Sequence, residues 1–290
     1  MTKIRSVVVA TDFSPASDAA VRRAWRLAAE HDASLCLLHS FDSNASSSLK
    51  GAVDPQRVTL ESSSEGRTRQ RLADFATSLA AQTGLKVGVH FGFESPAGLI
   101  AAYVGSHEDS LVVIGSRAEP TVSGLGSTAL KVVRRPACPI LIVRATKDRP
   151  YETVLSAVDL REGSVRAASL AVTLFPAAHH HLLYALAAPP AGWDADGVEA
   201  RRLLHESLYA RVEHDLREFA GRLSGAARHP LAAVVADDVP ARAILVGAAN
   251  LAADCVVVGH HGQGTATDSY LGSMAQHVIY AALSDVLVVP

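Results

Sequence analysis

The sequence predicts an α/β protein of two tandem doubly wound domains, each a five-stranded parallel sheet flanked by helices. Three observations carry this. The 290 residues are about twice a usual domain length. The two halves repeat one another at a near-constant offset. Within each half, short apolar runs with little polar alternation alternate with helical periodicity, the pattern of a parallel sheet covered on both faces.

Five blocks establish the repeat. Val7–Ser14 matches Thr153–Arg161, pairing Asp12 with Asp159 at an offset of 147. Glu94–Ile100 matches Asp238–Ile244 and Ser110–Ser116 matches Cys255–His261, both at 144. Gly126 and Ser127 match Gly272 and Ser273 at 146, and Pro139–Val143 matches Asp285–Val289 at the same offset. The expected domains are 1–146 and 151–290, with the charged run Ala145–Pro150 at the joint.

Strand one is expected at Val7–Thr11 and Val154–Val158. Ser14 is an N-cap candidate with Pro15 in the first turn of helix one, whose Val21, Ala24, Trp25 and Ala28 recur at helical spacing. Strand two is expected at Ser34–His39 and His181–Leu186. Helix two carries Leu72, Phe75, Ala76, Leu79 and Ala80 on one face, and its counterpart carries Leu208, Val212, Leu216, Phe219 and Leu223. Strand three is expected at Lys86–Phe91 and Leu231–Ala236. Helix three starts near Pro96 and Pro240, and strand four ends at Gly115 and Gly259. A short helix, Ser273–Leu283 in the second half, and a closing strand complete each domain.

Composition narrows the function. Lys+Arg 27 against Asp+Glu 29 gives a net charge of -2, which argues against a nucleic-acid footprint. The first 150 residues hold 18 basic and 14 acidic side chains and the rest hold 9 and 15, so the halves carry +4 and -6. All five lysines lie at or before Lys147, so an anion site in the second half must work without lysine. Cys36, Cys138 and Cys255 stand singly in apolar stretches, which reads as buried reduced thiols of a cytoplasmic chain rather than a disulfide framework or zinc site. Ala167–Trp193 lacks Asp, Glu, Lys and Arg, but Pro176, Pro189, Pro190 and His179–His181 interrupt it, so it reads as helix, turn and buried strand, not a membrane span.

The most specific local signal is Gly259, His260, His261 and Gly262, then nine residues, then Gly272 and Ser273. It follows an apolar strand and opens a helix. Glycines let backbone N–H groups approach a phosphate, and a helix N-terminus adds unpaired donors and a favourable dipole. Such glycines are also ordinary turn residues. A P-loop is absent, since no G-x-x-x-x-G-K-S/T occurs.

This loop, with an Asp closing strand one in both halves, resembles the universal stress protein family, and the match covers nearly the whole chain as a tandem member. The resemblance implies a nucleotide site and its residues. In the family's ATP-binding branch the Asp after strand one lies beside adenosine, main chain at the end of strand two holds adenine, and the glycine loop holds ribose and phosphates. Carried over by that resemblance, Ala157, Val158 and Asp159 frame the adenosine, with Ala185 reaching adenine through its backbone. Val258, Gly259, His261 and Gly262 approach the ribose and phosphates, and Gly272, Ser273, Met274 and Ala275 cap the phosphate end. The family often has a hydroxyl residue where Ala275 stands. The implied cofactor is ATP, with magnesium as an optional companion to Asp159.

The first half departs from the pattern: Gly115, Ser116, Arg117 and Ala118 are followed by seven residues before Gly126 and Ser127. A Cβ at Ala118 blocks close phosphate approach or forbids a required positive φ, so the first site is expected to be weak or dead, with Asp12 a relic or a capping group and Arg117 a residual anion contact. The apolar closing strands Ile140–Val143 and Val286–Val289 are expected to pair the halves as a pseudo-dimer, with a homodimer also open. His179–His181 resembles a metal tract by composition, but strand alternation keeps three consecutive side chains from one ion. Trp193 reads as a loop residue over the ligand cleft or an interface. No nucleophile–base pair is evident.

Three readings stand. The first is an ATP-binding cytoplasmic stress-response or regulatory protein that is not an enzyme, slow ATP hydrolysis aside. The second is an ATP-using enzyme, which needs a cationic clamp and spare length. The third is a structural or interaction protein with a vestigial loop.

Overall fold

The structure is a computed structural model that describes residues 4–41, 55–107, 109–116, 126–134, 137–144, 149–186, 198–260 and 271–290. The chain divides into two compact units, which part near residue 145. The first holds β1 (Ser6–Ala10), α1 (Pro15–His31), β2 (Ser34–Ser40), α2 (Pro55–Thr83), β3 (Val87–Gly92), α3 (Pro96–Gly105), β4 (Ser110–Gly115), α4 (Ser127–Arg134) and β5 (Ile140–Val143). The second holds β6 (Thr153–Ala157), α5 (Glu162–Leu174), β7 (His179–Ala185), α6 (Val198–Leu223), β8 (Ala232–Ala236), α7 (Pro240–Asn250), β9 (Cys255–Gly259), α8 (Ser273–Ala281) and β10 (Asp285–Val289).

The strand order is β3-β2-β1-β4-β5 in the first unit and β8-β7-β6-β9-β10 in the second, and the pairs are parallel. The physical cause is in the strands themselves. Val7, Val8 and Val9 are wholly buried, as are Val256, Val257 and Val258, so both faces of each central strand are covered. Each such side chain contributes about 1.5–3 kcal/mol by leaving water.

The helices follow their predicted stripes. On α1, Val21, Ala24, Leu27 and Ala28 are buried and Trp25 is half-buried. Ser14 caps it, its hydroxyl accepting the Ser17 amide at 3.3 Å, with Pro15 in the first turn. On α6, Leu216, Phe219 and Leu223 pack with Val158, Val172 and Leu182 in one core cluster. At the amino-terminal end of the second sheet, Asp254 accepts the Glu152 and Thr153 amides and pairs with Arg149, while the Tyr151 hydroxyl donates to buried Asp285 at 2.5 Å.

Boundaries move by one or two residues. Strand one starts at Ser6 and Thr153, and strand three at Val87 and Ala232. The larger correction is β7, which begins at His179 rather than His181, so all three histidines lie in the strand. Alternation separates them: His180 is buried with Nε2 on the Phe175 carbonyl at 2.9 Å, while His179 faces out and stacks on His229 at 4.1 Å. Burial, with the neighbouring imidazoles, pushes the His180 pKa down. Ala167–Leu186 is the helix end, turn and strand that its prolines imply, and no helix among the described residues is long and apolar enough to cross a membrane. The three cysteines are buried and none is in a disulfide, and burial pushes the Cys138 thiol up to about 11.

Candidate functional site

In an open parallel sheet, ligands settle beyond the carboxyl ends of the strands where the strand order reverses. That point lies between β1 and β4 in the first unit and between β6 and β9 in the second. Every described candidate except Ala185, which ends neighbouring β7, belongs to β6, to β9 or to the segments that leave them.

Asp159 leaves β6 through a tight turn. The next residue, Leu160, sits at φ 60°, and in the repeat Phe13 follows Asp12 at φ 59°. A non-glycine residue there costs about 1–2 kcal/mol, so something must hold it. Asp159 Oδ1 accepts the Arg161 amide at 3.1 Å and the Ser164 hydroxyl at 2.6 Å, and the Ser164 oxygen accepts the Asp159 amide at 3.1 Å. Its second carboxylate oxygen has no hydrogen bond among the described residues and is available to a ligand. Ala157 and Val158 are buried, and the Val158 amide donates to Leu183 in β7 at 2.9 Å. Ala185 is half-buried.

The first unit builds the same turn with a different network. Asp12 Oδ1 accepts the Ser14 amide at 3.0 Å, while the Ser17 hydroxyl contacts Thr11 Oγ1 at 3.2 Å and the Ser14 carbonyl at 2.9 Å. Burial pushes the Asp12 carboxyl up, but hydrogen bonds from Ser14 and Ser17 outweigh it and hold it below the usual range. Asp12 thus holds the turn that enters α1, while the N-cap of the helix is Ser14.

At β9, Val258 and Gly259 are buried. His260 is buried too, its amide donating to Val289 at 2.7 Å, and its carbonyl accepts the Gly272 amide at 3.0 Å. These bonds tie the two ends of the glycine loop together at the sheet. Gly272 then caps α8 without a side-chain hydrogen bond, and its carbonyl accepts the Gln276 amide at 2.9 Å. The first-turn amides of Ser273, Met274 and Ala275 thus have no capping side chain, and Ser273 is exposed. Ala275 points its methyl into the core at 1% exposure, so only its main chain could serve a ligand. His261 and Gly262 lie outside the described residues, as do Arg117, Ala118 and Trp193.

The two leading glycines differ physically. A Cβ at Gly115 would fall 2.3 Å from the Ala16 carbonyl oxygen, so this glycine is required for β4 to pass the start of α1. A Cβ at Gly259 meets nothing nearer than 3.4 Å. Sequence reasoning misses the turn serines Ser17 and Ser164, although each stands five residues after its Asp in both copies.

The assembled groups are backbone donors, one hydroxyl and one carboxylate. They can hold a polar, anionic ligand. Among the described residues no group of three or more His, Cys, Asp and Glu is placed to hold a metal.

A family model described as the universal stress protein family matches residues 3–144 and 150–290. A universal stress protein of Mycobacterium tuberculosis is 30% identical over 302 residues, covering 99% of this chain and 97% of the relative. One from Mycolicibacterium smegmatis is 27% identical, covering 98% and 96%. Among solved structures, a universal stress protein from Archaeoglobus fulgidus superposes with a TM-score of 0.66 at 19% identity, covering 99% of this chain and 98% of that one. A protein from Pseudomonas aeruginosa, described as a putative universal stress protein, gives 0.66 at 20% identity, with 99% and 94% covered.

Proposed function

The chain belongs to the universal stress protein family, and from that premise we propose that it is a cytoplasmic nucleotide-binding regulatory protein whose second unit holds ATP. One observation carries the reading: Asp159, the end of β9 and the uncapped start of α8 converge at the point of strand-order reversal. The residues fit the nucleotide chemically. The open oxygen of Asp159 suits a ribose hydroxyl. The amides of Ser273, Met274 and Ala275, aided by the helix dipole and the Ser273 hydroxyl, suit a phosphate. The Ala185 main chain and the Ala157–Val158 segment suit the base edge, Gly259 admits close backbone approach, and His261 and Gly262 supply further loop contacts. Magnesium, when bound, would neutralise phosphate charge beside Asp159.

The same inventory argues for binding without efficient turnover. The loop Gly259–Ser273 contains no Lys or Arg, and Asp268 adds a negative charge. Ground-state contacts alone accelerate nothing, because only stronger binding of the transition state does. The output of such a protein is conformational.

The test is mass analysis of small molecules released on denaturation, followed by calorimetric titration with ATP. One site per chain is expected, lost in Gly262→Val. Two equal sites, or affinity indifferent to Asp159→Ala, would refute it.

A further inference from the structure

The first unit gathers five of the chain's seven phenylalanines at the carboxyl ends of β1, β2 and β3. Phe13 lies 5.1 Å from His39 and 6.4 Å from Phe75. Phe41 and Phe91 stack at 5.8 Å, and Phe93 stands edge-on to both, at 6.2 and 5.7 Å. Two guanidiniums from α2 lie on these rings: Arg69 at 4.0 Å from Phe91 and Arg71 at 4.1 Å from Phe13.

Two features show that this is not core packing. Phe175 and Phe219, the other two, are buried at 6% and 2%, whereas Phe13, Phe41, Phe75 and Phe91 are half-buried and Phe93 is 55% exposed. The fold also does without four of the rings; Phe75 is the exception, matched at an offset of 144 by Phe219 of the second core. The backbone register aligns His39 and Phe91 with Tyr184 and Val235. Phe41 and Leu186 donate equivalent amides to Gly92 and Ala236, which aligns Phe93 with Asp237. The second unit thus builds the same sheet end with Leu160, Leu186, Val235 and Asp237.

We propose that the first unit carries a second binding site, lined by these rings and Arg71, for a planar aromatic anion. Exposed ring faces and edges supply stacking. A guanidinium over a ring is held there by cation–π attraction and still has five N–H donors to offer a carboxylate or phosphate. Arg69 spends its charge on Glu65 at 2.7 Å. Arg71, which makes no ion pair among the described residues, is the anion contact. Phe13, Phe41, Phe91 and Phe93 stand where the second unit presents aliphatic and acidic side chains, so the two units differ in ligand chemistry. The proposal holds whether or not the second unit binds nucleotide.

The experiment is calorimetric titration of the full chain with 1-naphthyl phosphate, with inorganic phosphate and naphthalene-1-methanol as single-feature controls. One saturable site is expected for the naphthyl phosphate, with both controls weaker. Phe93→Ser and Arg71→Gln should each weaken it about fivefold or more. Both residues are exposed, so unchanged thermal unfolding certifies the fold. Arg71→Lys, which keeps the charge without the forked guanidinium donors, should weaken it as well, and Asp159→Ala should leave it unchanged. No saturation at millimolar probe, or binding that survives Phe93→Ser and Arg71→Gln, overturns the proposal, as does binding lost in Asp159→Ala alone.

Discussion

Alanine at Gly115 and at Gly259 should give opposite results, although both glycines end matching strands. At Gly115 the new Cβ meets the Ala16 carbonyl oxygen at 2.3 Å, its carbon at 2.6 Å and the Ser17 amide at 3.0 Å. All three are backbone in the first turn of α1, so no rotamer relieves them. Bringing the shortest contact to 3.0 Å needs α1 to withdraw by about 0.7 Å. That movement strains the Ser14 cap and the Thr11–Ser17 contact. Overpacking of this kind costs about 1–3 kcal/mol, and a weakened cap adds about 1. For a domain of this size the melting temperature of the first unit should fall on the order of 10 °C. At Gly259 the same methyl finds Gly163 and Ser164 at 3.4 and 3.5 Å, ordinary contact, and the melt should move by no more than about 2 °C. Scanning calorimetry of the full chain, parent against each variant, reads both. A Gly115→Ala chain within about 1 kcal/mol of parent, or Gly259→Ala equally damaged, would show that the helix–strand approach is not what demands glycine.

Asp159→Ala should cost about 1–2 kcal/mol, because it releases the turn that holds Leu160 at positive φ, and should weaken ATP at least about tenfold; Asp159→Asn, which keeps an oxygen acceptor, should restore most of the stability in urea unfolding. Ser156 is 1% exposed with no hydrogen-bond partner among the described residues and stands where the repeat has Val9, so Ser156→Val should raise the urea midpoint of the second unit, by about 1 kcal/mol; a loss would reveal a missing partner. The His180 pKa is lowered, so the unfolded chain binds a proton near 6.5 that the folded chain refuses; stability is complete above that pH and should fall as pH drops through it, by at most about 1.4 kcal/mol per unit for this group, and His180→Gln should flatten that limb. Bound ATP with magnesium should persist for many minutes in single turnover, and a rate near about 1 s⁻¹, ordinary for enzymes, would mean that a catalytic group operates there.

The sheet was legible because its causes are local. Runs such as Val7–Val9 and Val256–Val258 have no polar face, and that excludes an exposed sheet. The repeat then counted the domains. Strand ends were less legible: β7 extends back to His179 because His180 finds the Phe175 carbonyl, a contact five residues away that apolar pattern does not encode. The loop motif marked Gly259 and Gly272, and the structure supplies what spacing could not, the Gly272–His260 bond that closes the loop base. The repeat also aligns Gly115 with Gly259 at the end of strand four. The distances around Gly115 assign that glycine to packing, a distinction that depends on where α1 passes and so lies outside any linear pattern.

Duplication supplies an internal control. Whatever both copies keep at one position is a candidate for fold; whatever one copy alone has is a candidate for function. The Asp turn, its serine five residues on and the residue at positive φ between them occur twice, so they belong first to the fold. The nucleotide reading therefore cannot rest on Asp159 alone. It rests on what the second copy adds: a glycine loop two residues longer, with Gly262 where the first copy has Ala118. The same logic applied in the other direction singles out the phenylalanines and Arg71. A backbone that is satisfied by leucine and aspartate in one copy has no structural need of exposed rings in the other, and exposed rings cost solubility unless something covers them. Two units from one ancestor have in this way kept the frame and parted in the chemistry at the strand ends.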